Sequence, residues 1–189
     1  MPQRLEADAN AVGDAAEVIA FLSDPKSYDP PVASVKRIDT HGAIVFLAGD
    51  RVYKIKRPIR LPYLDYSTLQ RRARFCHREV ERNKETAPDI YIAAVPIVRG
   101  IDRHLTIGGS GTVVEWAVLM RRFDEACLLD DMAERGDLPV KTMLVLADRI
   151  AAYHAAAPRR QPPGCENSLS GVMTTIVAAA GANADTLGI

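Results

Sequence analysis

Residues 32–56 read VASVKRIDTHGAIVFLAGDRVYKIK. Three runs rich in β-branched and apolar residues, Val32 to Ile38, Ala43 to Ala48 and Arg51 to Lys56, are separated by Thr40-His41-Gly42 and by Gly49-Asp50. Short runs divided by two or three turn residues predict antiparallel strands joined by hairpins. Upstream, Val12 to Leu22 predicts a short helix with Val12, Ala15, Ala16 and Ile19 on one face, preceded by about ten frayed residues. Asp24-Pro25 and Asp29-Pro30-Pro31 end it, because proline fixes its own φ and restricts the residue before it. Downstream, Pro58 and Pro62 mark a connector, and Ser67 with Gln70 forms a capping-box pattern. The helix opened there carries Leu69, Ala73, Cys76 and Val80 as a narrow apolar stripe, and Pro88 stops it.

Tyr91 to Val98, Leu105 to Ile107 and Val113 to Met120 predict further strands, with a glycine-rich turn at 108–111. Then the pattern turns helical. A short helix is expected near Ala126 to Arg135, ended by Gly136, and a longer one from Val140 to Ala157 with Met143, Ala147, Ile150 and His154 in one stripe. Pro158, Pro162 and Pro163 close it; Leu169 to Ala180 predicts a last helix and 181–189 a loose tail. Strands first, one helix inserted after the third strand, then helices: this is the order of an α+β domain with segregated layers.

The chain has 189 residues, enough for one domain or most of a larger one. Lys plus Arg and Asp plus Glu are both 24, a balance that argues against general nucleic-acid or anionic-membrane binding. No apolar run approaches the roughly 20 residues of a membrane span, and the acidic N-terminus is unlike a secretory signal. Cys76, Cys127 and Cys165 are odd in number and lack metal spacing, as expected in a reducing cytoplasm. The expected location is therefore cytoplasmic.

Period two puts Lys54 and Lys56 on one face of the third strand. A lysine on a strand, followed by a helix with a glutamate beside its apolar stripe, resembles the lysine–glutamate pair of protein-kinase-like enzymes, in which the lysine supplies a fixed charge to a polyphosphate and the glutamate holds it extended. At about 100° per residue, Glu79 falls roughly 90° to one side of the stripe centre and Glu81 roughly 110° to the other. Position barely separates them. Both could be solvated charges, and lysines on an edge strand also serve as edge protection.

The segments THGAIVFLAGDRVYKIKRPIRLPYLDYSTLQRR, CHREVERNKETAPDIYIAAVPIV and EWAVLMRRF resemble the N-terminal part of the bifunctional aminoglycoside phosphotransferase/ATP-binding proteins, from about Val32 to about Ala157. Those bacterial proteins join a kinase-like domain to a P-loop ATPase domain. The resemblance implies a protein-kinase-like fold of the aminoglycoside phosphotransferase type, with three parts: an N-terminal helical extension (1–31), a kinase-like N-lobe with its hinge (32–122), and a partial helical C-lobe (123–189). It implies ATP as ligand and a small-molecule hydroxyl as acceptor in the intact protein. Lys54 matches the ATP-phosphate lysine and Glu79 its helix partner. Val118, Leu119, Met120 and Arg121 match the strand and hinge that meet the adenine, so Lys54, Glu79, Met120 and Arg121 are the expected nucleotide-binding residues.

Two parts of the family pattern are missing from the sequence. Thr40-His41-Gly42 stands where protein kinases keep a glycine-rich loop, and one glycine cannot supply its several close backbone approaches. No H-G-D-x-H-x-x-N-like loop follows Ala157, where the family keeps its catalytic aspartate and Mg²⁺ ligands, and no G-x-x-x-x-G-K-[ST] occurs. No catalytic or metal residue is therefore assigned, Mg²⁺ is expected only in the intact family domain, and the chain is expected to be a truncated form inactive in transfer by itself. A non-catalytic, pseudokinase-like nucleotide-binding or scaffold module is the alternative. Elsewhere, His154 and Trp116 are expected in the core, His41, His77 and His104 on the surface, and Arg71, Arg72 and Arg74 on a solvated helix face. Glu115 and Asp124 lie near the expected cleft without an assigned partner.

Overall fold

The computed structural model describes residues 14–157, 170–174 and 176–178. It is an α+β fold built on a curled antiparallel sheet with several helices. The strands are β1 (Val35–Asp39), β2 (Ala43–Ala48), β3 (Arg51–Lys56), β4 (Arg60–Leu61), β5 (Leu64–Asp65), β6 (Tyr91–Arg99), β7 (Leu105–Ile107) and β8 (Thr112–Arg121). The helices are α1 (14–23), α2 (Leu69–Lys84), α3 (Leu129–Glu134) and α4 (Val140–Ala156). Six strands form one sheet in the order β1-β2-β3-β8-β6-β7, and β4 with β5 forms a separate small hairpin. The described residues divide into two compact units, one ending at Glu125 and the other beginning at Ala126.

In the first unit the β2–β3 turn requires Gly49, whose φ is +58° and where a Cβ would sit 3.2 Å from Val32 Cγ1. Alternation along the strands then sends side chains to two different cores. On one face Ile44, Phe46, Ile55, Ile97 and Ala117 pack with Val18 and Leu22 of α1. On the other, Val118 packs with Cys76 and Val80 of α2, flanked by Tyr91, Ala94, Trp116 and Met120. Burying a side chain such as Phe46 or Leu22 contributes about 1.5–3 kcal/mol. Helix α1 is thus no appendage: Val18 and Leu22 are among the most buried residues in the chain, and Tyr28 donates its hydroxyl hydrogen to the Leu22 carbonyl.

Several local expectations shift. Thr68, not Ser67, caps α2, its hydroxyl accepting from the Arg71 amide. The Asp65 carboxylate explains this, because the amide and hydroxyl of Ser67 both donate to it and draw Ser67 into a turn. The stretch around Pro58 and Pro62 contains the β4–β5 hairpin rather than only a connector. The buried side chains of α2 are Arg72, Cys76 and Val80, so Arg72 leaves the solvated face it was expected to share with Arg71 and Arg74.

A 3₁₀ turn (Glu125–Cys127) at the junction of the two units precedes α3, which Gly136 ends at φ +73°. No residue of α3 or α4 is buried. Met143, Ile150 and His154 are exposed, so the stripe read as core, and the core placement of His154, do not hold. The stripe records an amphipathic pattern, and pattern alone does not bury it. Residues 170–174 and 176–178 are helical; the remainder of the expected last helix, the tail and the frayed start lie outside the described residues. No described helix is long and apolar enough to cross a membrane.

Candidate functional site

Strand β3 presents Val52, Lys54 and Lys56 to the α2 side of the sheet and Tyr53 and Ile55 to the α1 side. Two lysines on an inward face need a counter-charge, and α2 supplies one. Lys54 Nζ donates to Glu79 Oε1 at 2.9 Å, and Lys56 Nζ donates to Glu79 Oε2. The three side chains differ in depth: Lys56 is 5% exposed, Glu79 16% and Lys54 30%. Glu79 therefore sits between a covered cation and one open to solvent, while Glu81 is exposed.

The segment that follows the hairpin provides the cover. The Tyr66 ring lies 5.6 Å from Lys56 Nζ and packs edge-on against Phe75 at 5.0 Å. A Cβ at Gly42 would lie 3.3 Å from Leu64 Cδ2, so the β1–β2 turn and the hairpin meet closely there. Arg72 fastens this assembly from below. Its Nε donates to both Glu115 carboxylate oxygens, at 2.8 and 3.0 Å, and its Nη1 donates to the Tyr66 carbonyl at 3.1 Å. Arg72 and Glu115 are both buried, so one ion pair ties α2 to β8 and the Arg72 hydrogen bond to Tyr66 adds the segment after β5.

Charge and burial set the titration of the site. Burial by itself raises the Glu79 carboxyl, but the hydrogen bonds and charges of Lys56, then Lys54, outweigh it and hold the group below its ordinary value of 4.5. Burial raises the Tyr66 and Tyr91 phenols, and the Glu79 charge adds to this. Burial pushes the Cys76 thiol up to about 12, which leaves it a packing group rather than a nucleophile. Burial also raises Glu115, against the opposing pull of Arg72 and the Trp116 amide. Because Arg72 pairs with Glu115, the Lys54–Glu79–Lys56 cluster keeps one uncompensated positive charge, and Lys54 is the member that reaches solvent.

Of the expected site residues, Lys54 and Glu79 are in contact. Met120 lies on the same sheet face, opposite Val52 and Tyr91 across the strands. Arg121 is exposed at the end of β8, paired with Arg51 across β3, and alternation places it on the other face. Lys56, Tyr66, Arg72 and Glu115 join the site without having been assigned to it. Period two already placed Lys56 beside Lys54; nothing in the spacing links Arg72 to Glu115. His77 is exposed and lies against the ring of the partly buried Trp116, 4.7 Å between centroids; His41 and His104 are exposed. Among the described residues no three His, Cys, Asp or Glu side chains converge as metal ligands would.

The chain is 35% identical over 134 residues to the uncharacterized proteins Mb2027c of Mycobacterium bovis and MT2060 and Rv2004c of two Mycobacterium tuberculosis strains. The alignment covers 70% of this chain and 24% of each relative, so the chain spans about a quarter of the length of the curated relatives it matches. No protein-family model matches the chain, and no solved structure matches it.

Proposed function

We propose that this chain is a kinase-like nucleotide-binding unit, related to the aminoglycoside-type O-phosphotransferases, in which Lys54 holds the phosphates of ATP. The observation that carries this reading is the charge of the Lys54–Glu79–Lys56 cluster: two ammonium groups share one carboxylate, and the solvent-facing ammonium is left for an anion. The sheet-and-helix arrangement and the resemblance from Val32 to Ala157 both support it. In this reading Met120 and the neighbouring end of β8 form the adenine side of the site. Arg121, on the opposite face, contributes its backbone rather than its guanidinium.

Phosphoryl transfer needs a carboxylate to accept the acceptor's proton and ligands for Mg²⁺. The sequence from 158 onward carries neither pattern, so the proposal for this chain is confined to nucleotide binding, and transfer to a small-molecule hydroxyl is proposed for the longer proteins it resembles. Titration with ATP, ADP, AMP and adenosine tests this. Each phosphate that reaches Lys54 adds a charge-assisted contact, so ATP should bind at least about tenfold more tightly than AMP. Equal affinities, or no binding of any of the four at millimolar concentration, would overturn the proposal. ATP turnover in the presence of small alcohols would instead place a transfer centre within these 189 residues.

A further inference from the structure

We infer that Lys56 is the anchor of Glu79 and that Lys54 is the exchangeable cation, so that the carboxylate stays in place when Lys54 turns to an anionic ligand. The release of Lys54 rests on the function proposed above; the anchoring by Lys56 stands on geometry alone. Three observations carry it. The two lysines take different oxygens of Glu79, so neither blocks the other. Lys56 is 5% exposed against 30% for Lys54, and the Tyr66 ring covers its ammonium. The segment bearing Tyr66 is itself held by Arg72, which is locked to Glu115. Lys56 thus has little room to leave, while Lys54 has solvent on one side.

A single lysine–glutamate pair between a sheet and a helix faces a conflict. When the lysine moves to a ligand, the glutamate is left buried without its counter-ion, and burial of an unpaired charge is strongly unfavourable. A second, deeper lysine removes the conflict. Glu79 keeps one ion pair throughout, its helix keeps its position against β3, and the freed ammonium of Lys54 carries the whole uncompensated charge to the ligand. The Asn83 side chain, which donates to the Glu79 carbonyl at 2.8 Å, fixes the helix locally at the same place. In this arrangement Lys56 is a positioning residue: it touches no ligand and acts through Glu79.

The test titrates the Glu79 side-chain carboxyl by carbon-13 NMR in the full chain and in the Lys54→Met, Lys56→Met and Lys56→Arg variants. The other titratable groups facing it are Tyr66 after β5, Cys76 on α2 and Tyr91 on β6, with Glu115 on β8 engaged by Arg72. Lys54→Met should leave the carboxyl below 4.5. Lys56→Met should raise it by about one to three units, and Lys56→Arg should restore it. Equal shifts in the two methionine variants, or a larger shift in Lys54→Met, would overturn the assignment. If Lys56→Met does not fold, the Lys54→Met titration and the Lys56→Arg rescue still decide it. A carboxyl that rises above 4.5 in Lys54→Met shows Lys54 to be the anchor. Because no nucleotide is present, a failure of ATP binding would count against the proposed function and not against this result.

Discussion

Glu79 is the residue through which the acid behaviour of the site should be read. Its folded carboxyl lies below 4.5 while the unfolded chain returns it to that value. The sign follows from linkage: above 4.5 the carboxylate is ionised in both states and its contribution to stability is fully present. As pH falls through the folded value, the proton displaces the lysines and the contribution is lost. Glu79→Gln should therefore flatten the stability-against-pH curve below 4.5, measured by urea unfolding at successive pH values. A curve as steep as that of the unchanged chain would mean that other carboxylates dominate. Residue identity was only half legible here. Period two is imposed by the backbone, so Lys54 and Lys56 share a face in any strand. Glu79 and Glu81 stayed inseparable because the stripe was centred on apolar residues alone. Counting Arg72 with Cys76 and Val80 moves the centre and leaves Glu79 roughly 60° away and Glu81 roughly 140° away.

At the scale of elements, α2 is held by a polar bolt as much as by its apolar face. Arg72→Met would leave Glu115 buried without its ion-pair partner, and breaking such a pair costs about 3–5 kcal/mol. The double variant Arg72→Met/Glu115→Leu removes both charges and should recover most of that loss, as thermal or denaturant unfolding would show. Additive losses in the double variant would mean that the two side chains act independently. No reading of the sequence finds this pair, because 43 residues separate its members and a buried arginine looks like any basic helix residue. The strands, in contrast, were readable where turn residues are strict. The β2 and β3 boundaries follow from Gly42 and Gly49, whereas the β4–β5 hairpin is masked by Pro58 before it and Pro62 in its turn.

At the scale of the molecule, burial is unequally shared. The sheet with α1 and α2 contains all but two of the buried residues described, Tyr28 and Gly42 lying in connecting segments, while α3 and α4 contain none. A helix in a protein gains most of its stability from packing an amphipathic face, and α4 leaves Val140, Leu144 and Val145 more than half exposed. Hydrogen exchange on the native chain should find the amides of β2, β3 and β8 slowest and those of α4 among the fastest helical amides. Protection of α4 equal to that of β8 would show that its apolar face is covered in solution. The function proposed for this chain comes down to one claim, that the Lys54 ammonium of the Lys54–Glu79–Lys56 cluster grips a polyphosphate. The most direct measurement is the ATP dissociation constant of Lys54→Met beside that of the unchanged chain, with circular dichroism confirming the same fold. Loss of a charge-assisted contact of about 1.5–3 kcal/mol predicts an affinity roughly ten- to a hundredfold weaker; an unchanged dissociation constant would contradict the account.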